Sequence, residues 1–271
     1  MIIALQYYTT DMERTMSLAR LLSDLEPRFR NDATLGLVCQ PDTPSTELLR
    51  KTIEHCSSKF NVISFRSKYG ARGWADGSGQ LWTGTMEHFF DLHSMGAVPS
   101  DYIFTCDGGD GVPLHNNWID LMMEEHLHTR QEGKTVTGRL NLDVPSHPHI
   151  NANMILDLSL WSKYPSLHHI PLGARLRDNN TLDMYHAKIL VPESCPSTVI
   201  HHEWNRTGMT MDKMRTIAKT SVWLHGYKDQ ALRTMARDFL LNELQGRHAR
   251  PSLIRQDREQ GEILGNAHWN A

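Results

Sequence analysis

The residues best suited to binding or catalysis lie in one stretch, where a strand-like run from Tyr102 to Cys106 leads directly into Asp107, two glycines and Asp110. A strand that ends in carboxylates holds them at one fixed point, and adjacent glycines let a ligand approach the backbone closely. Hard divalent cations prefer oxygen ligands and take them from carboxylates and phosphates alike. The stretch therefore predicts a corner that holds a metal ion and a diphosphate, suited to transfer from a nucleotide diphosphate.

The same residues are also compatible with a simpler structure, an acidic turn without a ligand. Aspartate and glycine serve turns generally, so an acidic turn that merely closes an ordinary strand is the alternative. An EF-hand calcium loop is excluded, because its twelfth residue must be Glu and the twelfth residue counted from Asp107 is Trp118. The metal corner and the plain acidic turn both remain open at this point.

The acidic stretch resembles the aspartate motif of GT-A fold glycosyltransferases, in which an apolar strand enters two or three acids, a Pro follows and a Trp soon opens a helix. Pro113 and Trp118 stand at those places. Alignment on Pro113 puts Asp110 at the direct metal ligand of the family and Gly108 where its first acid usually is, so that Asp107 is displaced by one residue. The resemblance implies a nucleotide-sugar donor, with UDP as the favoured nucleotide, and a Mn²⁺ or Mg²⁺ ion held by Asp107 and Asp110.

The first 65 residues alternate between apolar strand-like runs and helical patterns, which gives the order βαβαβ and predicts a parallel sheet. Thr10 and Glu13 have the spacing of a capping box, which predicts the start of the first helix. Neither a dinucleotide-binding nor a P-loop glycine pattern follows the first strand. We expect an α/β fold, GT-A-like and Rossmann-related, with a mostly parallel sheet flanked by helices. This single domain covers residues 1–245, and a basic C-terminal extension covers 246–271.

Two segments of this half are candidates for the donor site. In the resembling fold the nucleotide base lies across the ends of the first strands, which implies roles for Tyr7, Tyr8 and Thr9, with a tyrosine stacking on uracil. A tyrosine packed at a strand end is the alternative, because aromatic residues favour strands. The glycine-rich stretch from Ser67 to Gly84 predicts a basic loop that closes over the diphosphate, with Arg72 pairing to phosphate; a solvated surface loop is the other interpretation.

Asn151-Ala152-Asn153, before a second apolar run, resembles the Gly-Ala-Asn segment that lines the donor sugar and acceptor in many GT-A enzymes, with Asn151 in place of Gly. Amides suit sugar recognition because each supplies both a donor and an acceptor to a hydroxyl. The resemblance makes Asn153 a sugar-binding residue.

About 30 residues further on, GT-A enzymes carry an acid at the head of a helix beside the acceptor, and Asp183 fits that place. The resemblance makes Asp183 the general base of an inverting reaction. A plain helix N-cap is the alternative role for Asp183, and equally for Asp178. If no carboxylate faces the anomeric carbon, retention assisted by the diphosphate is the remaining mechanism.

The third match is an apolar strand that ends in His225-Gly226-Tyr227-Lys228, before an amphipathic helix. It resembles the late histidine of metal-dependent GT-A enzymes, which completes the metal shell in the glycogenin-like members, with a Lys shortly after it on the diphosphate. The resemblance implies that His225 is a metal ligand and that Lys228 contacts the donor. A histidine satisfied at a strand end is the alternative.

Length and composition indicate the size of the core and the cellular location of the protein. With 271 residues the chain is long enough for a full core. No apolar run approaches the ~20 residues of a transmembrane helix, and the N-terminus lacks the features of a signal peptide. We therefore expect no membrane segment and a cytoplasmic location, the host cytoplasm if the protein is viral. The four cysteines are scattered without C-x-x-C spacing, which favours buried reduced thiols.

The charge distribution bears on the acceptor. Residues 206–258 carry 11 Lys and Arg against 5 Asp and Glu, a net charge of +6, whereas the whole chain carries −3. Lys and Arg contacts to phosphates supply most non-specific affinity for nucleic acids. We therefore favour DNA as the partner, with a hydroxymethylated pyrimidine as the acceptor, as in the phage enzymes that glucosylate such bases. The base would be turned out of the duplex to reach Asp183.

Other functions are compatible with the same residues. A soluble glycan or a small molecule is the alternative acceptor. A nucleotidyltransferase or a diphosphate hydrolase would use the same metal corner on a similar sheet. A glycan-binding module that uses Trp and Tyr as sugar platforms is the alternative that is not an enzyme, but such a module does not need an acidic strand end.

Overall fold

The computed structural model describes residues 1–70, 76–142, 148–168, 182–203, 209–226, 230–243 and 251–253. Strands and helices alternate through most of this chain. The strands are β1 Ile2–Tyr7, β2 Arg30–Cys39, β3 Phe60–Arg66, β4 Tyr102–Asp107, β5 Gly111–Pro113, β6 Val136–Gly138, β7 Leu140–Asn141, β8 His149–Ile150, β9 Met154–Asp157, β10 Ser194–Pro196, β11 Ile200–His202 and β12 Trp223–His225. The helices are α1 Met12–Leu25, α2 Glu47–Cys56, α3 Asp76–Ser94, α4 Trp118–Gln131, α5 Ser159–Lys163, α6 Leu182–Tyr185, α7 Ala187–Leu190, α8 Met211–Ala218 and α9 Gln230–Glu243.

The central sheet has seven strands in the order β10-β6-β9-β4-β1-β2-β3. β1 pairs in parallel with β2 and β4, β2 pairs in parallel with β3, and β6 pairs in parallel with β10. Only β9 runs against its neighbours, β4 and β6. Helical crossovers join the parallel strands, as parallel pairing requires. The predicted α/β fold with a mostly parallel sheet is confirmed.

Two apolar layers cover the faces of this sheet. Alternate residues of β1 divide between them, with Ile3 and Leu5 in the layer of α1, α4 and α9, and Ile2 and Ala4 in the layer of α3, α5 and α7. Successive side chains of a strand point to opposite faces, so a strand covered on both sides must be apolar throughout. All of β1 is buried, which explains the unbroken apolar run at the N-terminus.

A second, smaller sheet of three strands in the order β11-β12-β5 lies at the end of β4. β12 pairs in parallel with β11 and antiparallel with β5, which places His225 opposite His202 on one side and Gly111 on the other. A Cβ atom at Gly111 would lie 2.2 Å from Nε1 of Trp223, so a glycine is needed for this close pairing. The small sheet therefore fixes the end of the acidic stretch against the strand of the late histidine.

The predicted capping box of Thr10 and Glu13 is wrong. Residues Thr9–Asp11 form a 3₁₀ turn, and α1 begins at Met12 with Asp11 as its N-cap residue. The Asp11 side chain makes no capping hydrogen bond because it pairs with Arg14. The helix therefore begins without the side-chain cap that the sequence pattern predicts.

The predicted loop from Ser67 to Gly84 is shorter than expected, since α3 begins at Asp76 and includes Gly77, Gly79 and Gly84. A Cβ atom at Gly84 would lie 2.0 Å from Oγ of Ser67, so this glycine permits close packing of the helix rather than loop motion. The chain after α4 forms two short strands, β6 and β7, rather than one long one.

All four cysteines are buried thiols outside any disulfide, as the sequence predicts. No helix within the described ranges is long and apolar enough to cross a bilayer. Of the C-terminal extension, residues 251–253 are described, and the amide of Ser252 donates to the Lys219 carbonyl at 2.7 Å. The division between a domain of residues 1–245 and an extension of 246–271 stays a prediction.

Candidate active site

The acidic stretch forms a tight turn at the end of β4. The amide of Asp110 donates to the carbonyl of Asp107 at 3.0 Å, and the two residues between them, Gly108 and Gly109, have φ angles of +52° and +62°. Glycine adopts this left-handed conformation without the strain that a side chain would bring. The turn therefore requires glycine at 108, where the resembling family usually has an acid.

Two arginines hold this turn. Nε of Arg14 donates to the Gly108 carbonyl at 2.9 Å, and its Nη2 lies 3.6 Å from Oδ1 of Asp110. Arg233, from α9, donates to the carbonyls of Gly109 and Arg14. Burial, together with the positive charge of Arg14, lowers the pKa of the Arg233 guanidinium to about 10. Sequence reasoning missed both arginines, because neither lies in a motif.

The structure brings Asp110 and His225 together through the backbone. The amide of Gly226 donates to the Asp110 carbonyl at 3.1 Å, and His225 pairs with Gly111 in the small sheet. Gly226 has a φ of +106°, and a Cβ atom there would lie 2.2 Å from the carbonyl oxygen of Glu203. The glycine after the histidine thus serves the junction of the two strands.

His225 has a partner that sequence reasoning missed. Nδ1 of His225 lies 2.8 Å from Nδ1 of His202, which also lies 3.1 Å from Nδ2 of Asn151. Oδ1 of Asn151 accepts from the amide of Asn153 at 3.0 Å, which fixes the orientation of the Asn151 amide, so that Nδ2 donates to His202. On this network Nδ1 of His202 is assigned as the acceptor, and the proton between the two rings is assigned to His225.

This proton assignment decides the chemistry of His225. An imidazole that carries its proton on Nδ1 has the lone pair on Nε2, the form in which histidine binds a metal. The hydrogen-bonding partner of one ring nitrogen commonly sets which nitrogen is available to the ion. The contacts of His202 and Asn151 therefore assign the lone pair of His225 to Nε2.

The Asn-Ala-Asn segment and Asp183 also meet. Oδ2 of Asp183 accepts from the amide of Ala152 at 3.2 Å and lies 3.8 Å from Nε2 of His149. Asp183 is the second residue of α6 and is buried; while its Oδ2 faces the segment, its Oδ1 accepts from the amide of Met184 in the same helix at 3.2 Å. The side chain of Asn153 is fully buried, and neither of its amide atoms has a hydrogen-bond partner in the described structure.

These contacts form one continuous path from Asp183 to the acidic turn. It runs from Asp183 to Ala152 and from Asn151 through His202 to His225, and Gly226 then joins it to Asp110. Buried polar groups nearly always have partners, and the unpaired amide of Asn153 is an exception at the centre of this path. The arrangement suits a ligand with hydroxyl groups near one end and negative charge near the other.

Tyr7, Tyr8 and Thr9, the three residues predicted to lie at the nucleotide base, differ in their exposure. Tyr7 is fully buried in the core, so its ring cannot stack on a base, and the expectation for this residue is wrong. Tyr8 is partly exposed and Thr9 is exposed. Burial raises the pKa of the Tyr8 hydroxyl, and the negative charge of Asp107 raises it further, which indicates that Asp107 lies near Tyr8. Tyr7 packs in the layer of α1, whereas Tyr8 packs at the edge of the opposite layer.

Two predicted donor ligands, Arg72 and Lys228, lie outside the described residues. Within the described ranges, no group of three or more His, Cys, Asp and Glu side chains is placed to hold a metal ion. Asp110 and His225 are therefore joined through the backbone hydrogen bond of Gly226, but their side chains do not form a three-residue metal cluster with Asp107.

Comparison with known proteins identifies the fold. Neither a protein-family model nor a curated protein matches the sequence. A structure of galactosyltransferase LgtC in complex with donor and acceptor sugar analogues is similar at a TM-score of 0.51 and 12% identity, over 97% of this chain and 100% of that one. The structure of an active-site mutant of LgtC is similar at a TM-score of 0.52 and 10% identity, over the same shares of the two chains. Mouse xyloside xylosyltransferase 1 has a TM-score of 0.49 and 14% identity, over 83% of this chain and 96% of that one. The LgtC structures show that this chain has the GT-A glycosyltransferase fold.

Proposed function

We propose that this protein is a glycosyltransferase that moves a sugar from a nucleotide sugar to a hydroxyl acceptor. The observation that carries the proposal is the continuous path of contacts from Asp183 to Asp110, at the carboxyl ends of β1 and β4. Ligands of open α/β sheets bind outside the carboxyl ends of the strands. The likeness to LgtC, whose structure holds donor and acceptor sugar analogues, supports the same use of the fold.

The residues present fit a divalent metal ion. Asp110 supplies a carboxylate, His225 supplies an imidazole with its lone pair on Nε2, and Asp107 is the third candidate. Ions that work with phosphates often take only one or two protein carboxylates and complete their shell with phosphate oxygens and water, so a preformed cluster of three residues is not required. The donor set of carboxylate and imidazole favours Mn²⁺ over Mg²⁺, which prefers oxygen alone. When bound, the ion would offset the charge that grows on the leaving diphosphate.

The donor would lie along the path described above. Tyr8, the partly exposed tyrosine at the end of β1, is the remaining candidate to stack on the base, with Thr9 beside it. Asn153 remains the candidate for sugar recognition, since its amide has a donor and an acceptor for hydroxyls. Its amide is fully buried, so contact with a sugar would require the Asn151-Ala152-Asn153 segment to shift on binding. We favour a UDP-sugar, and we keep Arg72 and Lys228 as ligands of its diphosphate.

Asp183 is the candidate general base. In an inverting reaction its carboxylate would take the proton of the acceptor hydroxyl while the oxygen bonds to the anomeric carbon, and the bond to the nucleoside diphosphate breaks. Its hydrogen bond from Ala152 holds the carboxylate beside the sugar-binding segment. If Asp183 does not reach the hydroxyl, retention assisted by the diphosphate is the alternative.

The favoured acceptor is a hydroxymethylated pyrimidine in DNA, supported by the net charge of +6 over residues 206–258. Labelled UDP-sugars incubated with Mn²⁺ and with plain DNA, hydroxymethylcytosine DNA, hydroxymethyluracil DNA or a glycan panel test donor and acceptor together. We expect transfer to modified DNA that falls as salt rises. Transfer to a neutral glycan without salt dependence would reject DNA and retain the glycosyltransferase, whereas sugar or phosphate release that needs no acceptor would indicate a hydrolase.

A further inference from the structure

A groove of about 700 Å³ lies between α1 and α9 and is lined by positive charge. Its lining contains four arginines, two from each helix: Arg14, Arg20, Arg233 and Arg237. The acids in the lining are Glu13 and Asp24. Four positive charges against two negative ones leave the groove with two net positive charges, in a chain whose total charge is −3.

Arg14 pairs with Asp11 and lies near Asp110, but the other three arginines of this groove are poorly compensated. In the part of the chain that the structure describes, no carboxylate lies within ion-pair distance of Arg20, Arg233 or Arg237. Asp24, the nearest acid in sequence to Arg20, instead pairs with His55 at 2.8 Å. Arg233 is 4% exposed, and the partners it has among the described residues are carbonyl groups. A buried cation without a counter-ion is costly, so the groove favours an anionic ligand.

The arginine spacing indicates what kind of anion would bind. Arg14 and Arg20 are six residues apart and Arg233 and Arg237 four apart, which are about 9 Å and 6 Å along an α-helix. Guanidinium groups present planar pairs of donors that match phosphate oxygens. We propose that the groove between α1 and α9 is a second anion site, which binds a ligand with two adjacent phosphate groups. The source is a small diphosphate or two successive phosphates of a nucleic-acid backbone.

The proposed site adjoins the acidic turn without being part of it. Arg14 and Arg233 line the groove and also bond to the carbonyls of Gly108 and Gly109. Arg20 and Arg237 also line the groove, and no hydrogen bond among the described residues joins either of them to the turn; Nε of Arg20 donates to Oγ1 of Thr52 at 3.1 Å. Substitution of Arg20 and Arg237 therefore tests the groove and leaves the turn intact.

The experiment uses the full chain in EDTA without nucleotide sugar, so that metal-dependent donor binding is absent. Inorganic pyrophosphate is titrated by calorimetry, and a labelled 12-residue oligothymidylate by fluorescence anisotropy. The variants are Arg237→Gln and the double change Arg20→Gln with Arg237→Gln. The control is Arg50→Gln with Arg215→Gln, which removes the same charge from exposed arginines outside the groove lining. Circular dichroism checks that each variant is folded.

We expect at least one probe to bind, the double variant to weaken its binding at least 10-fold, Arg237→Gln to weaken it about threefold, and the control to stay within twofold. If the oligonucleotide binds, loss of two phosphate contacts lowers the slope of log K against log salt concentration by about 1.4. Tighter binding of pyrophosphate identifies a small diphosphate, and tighter binding of the oligonucleotide identifies a backbone. Failure of both probes to bind, or equal weakening in the groove and control variants, would overturn the proposal, whatever the outcome for sugar transfer.

Discussion

At the scale of single residues, substitution of Asn153 is expected to have opposite effects on stability and on activity. Its amide is fully buried and unpaired in the described structure, so Asn153→Leu, which has a similar shape, removes a destabilising group. We expect the free energy of unfolding to stay constant or rise by about 1 kcal/mol, while kcat/KM for sugar transfer falls about 10- to 100-fold because sugar hydroxyls lose their partner. Urea unfolding and steady-state kinetics measure the two effects. A large loss of stability with unchanged transfer would make Asn153 a structural residue.

His202 is the second residue with a sharp test. Because His202 sets the proton position on His225, we expect His202→Phe to weaken Mn²⁺ binding about 10- to 100-fold, the usual effect of losing such a supporting contact. Calorimetric titration of Mn²⁺ with the protein measures this without an acceptor. His201→Phe is the matched control, since His201 is adjacent on the strand, points to the other face and lies near Glu203. Equal affinities of the two variants would contradict the role of His202.

At the scale of elements, the junction of β12 with the acidic turn depends on Gly226. Gly226→Ala meets both an unfavourable φ of +106° and the carbonyl of Glu203, whereas Gly96→Ala meets a φ of +72° with no atom within 4 Å. We expect both changes to destabilise the fold, with Gly226→Ala worse by about 1–3 kcal/mol because of the added overlap. Chemical denaturation of the two variants measures the difference. Equal losses would show that the strand junction is not tightly packed.

The elements also show what the sequence predicts and what it does not. The apolar runs of β1, β2 and β4 predict the parallel sheet, and the order of Asp110, Asn153, Asp183 and His225 predicts the parts of the site, because these signals are local. Arg14 and Arg233 have no local signal, since they act on residues 94 and 124 positions away. The same holds for His202, which reaches Asn151 across 51 positions. Only tertiary packing reveals such partners.

At the scale of the whole molecule, buried ionisable groups make stability depend on pH. Burial raises the pKa of Glu26 to about 7, although the charge of Arg30 opposes the shift. A raised pKa in the folded state means that this contribution is fully present below the unfolded value of about 4.5 and is lost as the pH rises through 7. Burial likewise lowers the pKa of the Met1 amine to about 6, which makes stability rise between pH 6 and 8.

Glu26→Gln isolates the first of these effects, because the Met1 amine contributes equally to both proteins. We expect the variant to gain stability relative to the parent as the pH rises from 4 to 8, by a few kcal/mol in total, since each unit of pKa shift is worth about 1.4 kcal/mol. Urea unfolding at a series of pH values measures the difference. A difference that does not change with pH would contradict the burial of a neutral Glu26 in the folded state.

The most direct test of the account is the binding of UDP to the parent protein and to Asp110→Asn, with Mn²⁺ and with EDTA, measured by calorimetry. Asp110 is joined to His225 through the Gly226 amide, and Asn keeps its shape while removing the charge that would hold the ion. We expect the parent to bind UDP only with Mn²⁺, and the variant to bind at least about 100-fold more weakly with its thermal unfolding little changed, since the ion supplies several kcal/mol of the interaction with the diphosphate. UDP affinity that is the same in EDTA, or the same in Asp110→Asn, would contradict the metal corner and the glycosyltransferase mechanism built on it.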